Sequence, residues 1–153
     1  MTTEGETGSS ERRVVTALFC DVVGSTTIAE TMDPEDWSDI VGRTIAAMAG
    51  AVERFGGMVA QFAGDGILAL FGAPVAHEDD PYRAVRAGVA IVESIRSASA
   101  PHGGLQVRVG INTGLVGAGA IDAGDLNLYS ALGDTLDVAA RLQRHRPACA
   151  VLR

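Results

Sequence analysis

Two aspartates carry the chemistry that this sequence offers. Asp21 ends the apolar run "VVTALFC", and Asp65 stands between glycines in "FAGDGILALFG". A carboxylate at the end of a buried strand is costly unless a cation or hydrogen-bond donor meets it. One explanation is that Asp21 stops the strand and helps start a helix; the other is that a rigid edge holds it to bind something cationic. Gly64-Asp65-Gly66 taken alone reads as a hairpin turn, which uses such residues in any case. The pair is harder to dismiss, because two carboxylates presented side by side repel unless a divalent cation lies between them. Hard oxygen donors suit Mg²⁺ or Mn²⁺, which commonly shares its shell with substrate phosphates. Gly24-Ser25-Thr26 follow Asp21, and backbone N–H groups opening a helix there would suit phosphate oxygens. Two metals about 3.5–4 Å apart would then serve an attacking oxygen and a leaving pyrophosphate.

Whether the aspartates meet depends on the elements that carry them. Asp33-Pro34-Glu35-Asp36 is a helix start, with an N-cap acid, proline at the first helical position and acids in the first turn. Trp37, Val41, Ile45, Met48, Val52 and Phe55 recur at helical spacing until Gly56-Gly57 closes the helix. "MVAQFA" and "ILALFG" flank the Gly-Asp-Gly turn as a two-stranded hairpin. A second helix starts near Asp80-Pro81, with Val85, Val89, Val92 and Ile95 expected on its buried side. "LQVRVGINTG" alternates as a strand, "GLVGAGAIDAGDLNLYSAL" is a glycine-broken excursion into another, and "GDTLDVAARLQ" is a short helix. The order is that of an α+β, ferredoxin-like (split βαβ) fold, with helices on one face of a mainly antiparallel sheet. In that topology the strands bearing Asp21 and Asp65 are central neighbours.

At 153 residues the chain is one domain with room for a core. The polar start, residues 1–11, reads as a disordered lead into a domain spanning 12–153, and it lacks the pattern of a signal peptide. Apolar runs are too short to span a bilayer, and two cysteines make no disulfide framework, so a cytoplasmic setting is expected. A net charge of −7 argues against nucleic acid or a membrane as the partner. It also means that a polyanionic ligand such as a nucleotide would need metal ions between it and the protein.

"LFCDVVGST", "FAGDGILALFG", "VRVGINTG" and "ALGDTLDVAARL" resemble, in order and spacing, the class III nucleotidyl (adenylate/guanylate) cyclase catalytic domain, from about Arg13 to Gln143. The resemblance implies a cyclase palm that makes 3′,5′-cyclic nucleotides from nucleoside triphosphates at a homodimer interface, or with a related cyclase chain. It implies Asp21 and Asp65 as ligands of two Mg²⁺ or Mn²⁺ per site, and the backbone of Val22, Val23, Gly24, Ser25 and Thr26 as the phosphate cradle. Gln61 stands where the family has a base-selecting lysine, and Ser130 at the second base-reading position. ATP is therefore the expected substrate, with GTP as the alternative. Arg141 matches the arginine that stabilises charge on the phosphate.

Asp137 departs from the family's ribose-orienting asparagine. It lies four residues before Arg141, the acid-first spacing of a helical ion pair that would draw the guanidinium from its target. The tail "RHRPACAVLR" also departs from the family, whose final strands and late phosphate-contacting lysine are expected to be missing. These departures favour a second reading, a weak or inactive cyclase-like module for nucleotide binding or dimerisation. A receiver-like domain fits poorly, because it needs alternating parallel strands and helices where this chain has a hairpin. His77 is expected to be a surface cap and Trp37 a core residue; His102 and His145 are given no role.

Overall fold

The computed structural model describes residues 11–73, 75–99, 105–123, 126–132, 134–144 and 151–152. The elements run β1 (Glu11–Val22), α1 (Ser25–Glu30), α2 (Pro34–Arg54), β2 (Met58–Ala63), β3 (Gly66–Phe71), α3 (Asp80–Ser99), β4 (Val107–Ala123), β5 (Leu126–Leu132), α4 (Asp134–Arg144) and β6 (Val151–Leu152). The sheet follows the order β2-β3-β1-β4-β5, all antiparallel, and β6 pairs parallel with β4. The expected α+β split βαβ fold is the one observed. β1 starts at Glu11, inside the lead expected to be unstructured; residues 1–10 lie outside the described ones, as do His102 and His145.

Strand alternation divides the interior into two layers. Leu18, Cys20 and Val22 of β1, with Ile67, Ala69, Phe71, Val107, Val109 and Ile111, pack against Met48 and Val52 of α2 and Ala84, Ala87, Ile91 and Ile95 of α3. The odd residues of β1 point the other way: Val15 and Ala17 join Leu68, Leu70 and Ala139 of α4, with Phe19 and Leu136 packed alongside. Placing the helices on one face therefore holds for α2 and α3, whereas α4 covers the opposite face. Glycine makes that approach possible. A Cβ on Gly110 would lie 2.2 Å from the Ala139 carbonyl oxygen and 2.5 Å from the Gln143 nitrogen, both backbone atoms that cannot rotate away.

Two local expectations change. Asp33 holds the N-cap position of α2 with extended dihedrals and Pro34 after it, but its side chain makes no capping hydrogen bond. Val89 is exposed, not buried, at 43%. The buried stripe of α3 runs through Ala84, Ala87, Ile91 and Ile95, and Val89, about 200° round the helix from Ala87 and from Ile91, falls on the outer face. Trp37 is half-buried, and the "LVGAGAIDA" excursion is the continuation of β4 into a long hairpin with β5. Among the described residues no helix is long and apolar enough to cross a membrane.

Candidate active site

The hairpin places the two aspartates together. Asp21 pairs in register with Gly66 of β3 on one side and Arg108 of β4 on the other, and Asp65 precedes Gly66 in the turn. The strands approach so closely here that a Cβ on Gly66 would come 2.3 Å from the Cys20 carbonyl oxygen and 2.8 Å from the Asp21 Cβ. Burial, and then the Asp65 carboxylate, hold the Asp21 carboxyl above the ordinary carboxylate range, while the guanidinium groups of Arg108 and Arg144 pull it down. Burial, helped by the same two aspartates, pushes the Cys20 thiol up, so it stays protonated and unreactive.

These shifts fit a cation site. Among the described residues no cluster of three or more His, Cys, Asp or Glu forms an all-protein metal cage. Two hard carboxylates side by side, with the rest of a coordination shell left to phosphate and water, match the donor set of Mg²⁺ or Mn²⁺. Without divalent cations the ionised Asp21 costs the folded state, because its folded pKa lies above the unfolded value. The penalty is complete above the folded pKa and disappears as pH falls through it toward the unfolded value. Asp21→Asn removes it and keeps an oxygen for the site's hydrogen bonds. Its Tm in EDTA at neutral pH is expected to exceed the wild type by about 1–2 °C, a gap that closes on acidification. An equal Tm at all pH values would contradict the strain assigned to Asp21.

Past Asp21, one amide of the expected Val22–Thr26 cradle already has a partner within the fold. Val22 is buried and paired with Val107, and the Val23 N–H donates to the Gln106 carbonyl at 2.8 Å. The Val23 N–H is thus engaged, whereas Val22 and Val107, next to that hydrogen-bonded pair, form a non-hydrogen-bonded pair, and the Val22 N–H turns away from β4. Gly24, at φ 67°, turns the chain into α1 with open space around its Cα, and Ser25 and Thr26 form the first turn. The amides of Gly24, Ser25 and Thr26 open this first turn.

Gln61 is exposed on β2, in register with Leu68, after a bulge between Val59 and Gln61. Leu68 pairs with Phe19, so Gln61 and Asp21 share the face covered by α4. Ser130 lies on β5 opposite Gly119, and β5 also touches β2. The elements carrying Gln61 and Ser130 thus meet within one chain.

α4 divides the remaining residues. Thr135, Ala139 and Gln143 form its buried stripe, while Asp137 and Arg141 are exposed on the other side. No ion pair within 4 Å joins Asp137 to Arg141 among the described residues, so the expected alternative partner for the guanidinium is not engaged. Two residues went unnoticed in the sequence. Arg108 faces Asp21 across the ladder, and its buried Nε has no hydrogen-bond partner among the described residues. Gln143 donates from Nε2 to Asp21 Oδ1. Arg108 was detectable as a cation in the otherwise apolar strand "VRVGI"; Gln143 gave no signal beyond its place on a helix.

The family model for the adenylate and guanylate cyclase catalytic domain matches residues 8–150. The chain belongs to this family. It is 34% identical over 137 residues to adenylate cyclase 1 of Rhizobium meliloti, across 86% of this chain and 21% of that protein, so it spans about a fifth of that relative's length. Among solved structures it resembles the guanylyl cyclase Cya2, with a TM-score of 0.84 and 31% identity over 93% of this chain and 75% of the other. It also resembles the catalytic core of a rhodopsin-guanylyl cyclase with converted specificity, in complex with ATPαS, with a TM-score of 0.82 and 28% identity over 92% and 77% of the chains. The class III cyclase palm is therefore the fold of this chain.

Proposed function

We propose that this cyclase domain converts ATP to 3′,5′-cyclic AMP and pyrophosphate at a homodimer interface. The observation that carries the reading is the two-sidedness of α4. Its buried side touches Asp21, while Arg141 and Asp137 lie on its exposed side and point away from the same chain's carboxylates. A site needing both sets is completed by a second copy. One chain supplies Asp21, Asp65, Gly24, Ser25 and Thr26; the other supplies Gln61, Ser130, Asp137 and Arg141. Asp21 and Asp65 would hold two Mg²⁺ or Mn²⁺ ions, which neutralise the triphosphate and acidify the ribose 3′-hydroxyl.

The residues of the chain do the rest. Backbone amides at Gly24–Thr26 bind phosphate oxygens, and Arg108, a cation without a hydrogen-bond partner at Nε, faces the same space. The Gln61 amide both donates and accepts, so with the Ser130 hydroxyl it can read a purine edge. The 3′-oxygen bonds to the α-phosphorus as the bond to the β-phosphate oxygen breaks; the hydroxyl proton passes to solvent and pyrophosphate leaves. Arg141 stabilises the charge that builds on the α-phosphoryl oxygens.

The test is cyclic nucleotide production by the purified chain from ATP and from GTP, with Mn²⁺ and with Mg²⁺, and with Asp21→Ala as control. Product from ATP in excess over GTP, absent in the control, is the expected result. GTP as the better substrate would overturn the base assignment and leave the reaction class standing. A folded chain that binds nucleotide and turns over neither would favour a non-catalytic regulatory module, the reading to which Asp137 lends support.

A further inference from the structure

We propose that Gln143 is a positioning residue that sets the orientation of the Asp21 carboxylate for the cation. The inference rests on the reading of Asp21 and Asp65 as metal ligands. Gln143 is 6% exposed, and its Nε2 donates to Asp21 Oδ1 across a span of 122 residues. The contact is built into the fold. Gly110 is the only residue type that lets this turn of α4 lie against β4, because any Cβ there would strike the Ala139 carbonyl and the Gln143 backbone nitrogen. The same turn therefore carries Gln143 down onto the end of β1.

The chemistry calls for a donor at this point. Asp21 faces another carboxylate, Asp65, which repels it, with the guanidinium groups of Arg108 and Arg144 on the opposing side of the balance. A carboxylate so placed is free to turn toward either arginine and away from Asp65. An amide N–H fixed on Oδ1 holds one oxygen and leaves the other to be shared with a cation, as hydrogen-bonded outer partners do for ligating carboxylates elsewhere. A buried glutamine amide also carries its own cost unless it is paired, so the bond serves both groups. Gln143 acts from the buried side of α4 while Arg141 serves the neighbouring site from the exposed side. One helix thus ties the metal carboxylate of one site to the phosphate-facing cation of the other.

The experiment is a Mn²⁺ titration of the purified full chain, followed by electron paramagnetic resonance of the free ion, without nucleotide. Gln143→Met and Gln143→Leu both keep an apolar filling and remove the donor, so whichever variant folds reports on the bond. The expected result is Mn²⁺ affinity weakened about tenfold. The Mn²⁺ concentration for half-maximal cyclase rate should rise by a similar factor, more than the rate at saturating Mn²⁺ falls. A folded variant with wild-type Mn²⁺ affinity and only a lower Tm would overturn the inference, and if Asp21→Ala abolishes binding in the same assay the metal reading survives. A wild-type chain that binds no Mn²⁺ at millimolar concentrations would overturn both.

Discussion

Asp21→Ala is expected to lower cyclic nucleotide formation about a thousandfold or more, and mixing it with Arg141→Ala is expected to bring activity back. The first half follows from charge. Removing Asp21 leaves Asp65 as the lone carboxylate of the pair and withdraws the proposed metal ligand, which is paired with both β3 and β4. Metal sites supply several kcal/mol of transition-state stabilisation, and about 4 kcal/mol corresponds to a thousandfold in rate. Arg141→Ala alone is expected to cost about a hundredfold or more, the usual loss when one donor to a developing oxyanion is removed.

The rescue follows from α4. Asp21 is touched by its buried side and Arg141 stands on its exposed side, so in the proposed shared site the two variants damage different halves. In an equimolar mixture of freely exchanging two-fold dimers about half the dimers are mixed, and each mixed dimer holds one doubly damaged and one intact site, giving about a quarter of the wild-type rate. The measurement is the initial rate of the mixture against each variant alone at the same total chain concentration. No recovery, with mixed dimers demonstrated by differently tagged chains, would place Asp21 and Arg141 in the same chain's site and remove the argument for a shared one.

The parts legible in the sequence are those governed by local chemistry. The apolar run ending on Asp21, the Gly-Asp-Gly turn and the Asp33-Pro34 helix start each have short-range signals, and each gave the right element. The meeting of Asp21 and Asp65 was also legible, because the split βαβ order forces β3 beside β1. What failed to show is set by long-range packing. The valine pattern of α3 pointed to Val89 as buried, but the stripe that meets the sheet runs through Ala84, Ala87, Ile91 and Ile95 and leaves Val89 outside. α4 reads as a short amphipathic helix, and only Gly110 and Gly114, distant in sequence, fix it on the face opposite α2 and α3. The loss of the Val23 amide to Gln106 and the bond from Gln143 to Asp21 are tertiary in the same sense. No spacing rule links residues 21 and 143.

Asp137→Asn is expected to raise turnover about tenfold, equivalent to about 1.4 kcal/mol of barrier. Asp137 lies in the first turn of α4, exposed, on the side that bears Arg141, and no ion pair joins the two. Its charge is therefore not spent on its helical neighbour and acts on whatever approaches that surface. In the proposed site the approaching group is a triphosphate, and a second anion beside it opposes both binding and the further charge that builds as the α-phosphoryl oxygens crowd. Asparagine keeps the size and adds an N–H donor for the ribose without the charge. Stability should move the opposite way. An acid in the first turn interacts favourably with the helix dipole, so neutralising it costs about 0.3–1 kcal/mol. A variant that is slightly less stable and distinctly faster separates an electrostatic defect in the site from any general improvement in folding. The check is kcat at saturating ATP and metal together with Tm for the same preparation. An unchanged kcat in a folded, dimeric Asp137→Asn chain would mean that Asp137 does not face the reacting phosphate, and that whatever limits this domain lies elsewhere than in the charge on α4.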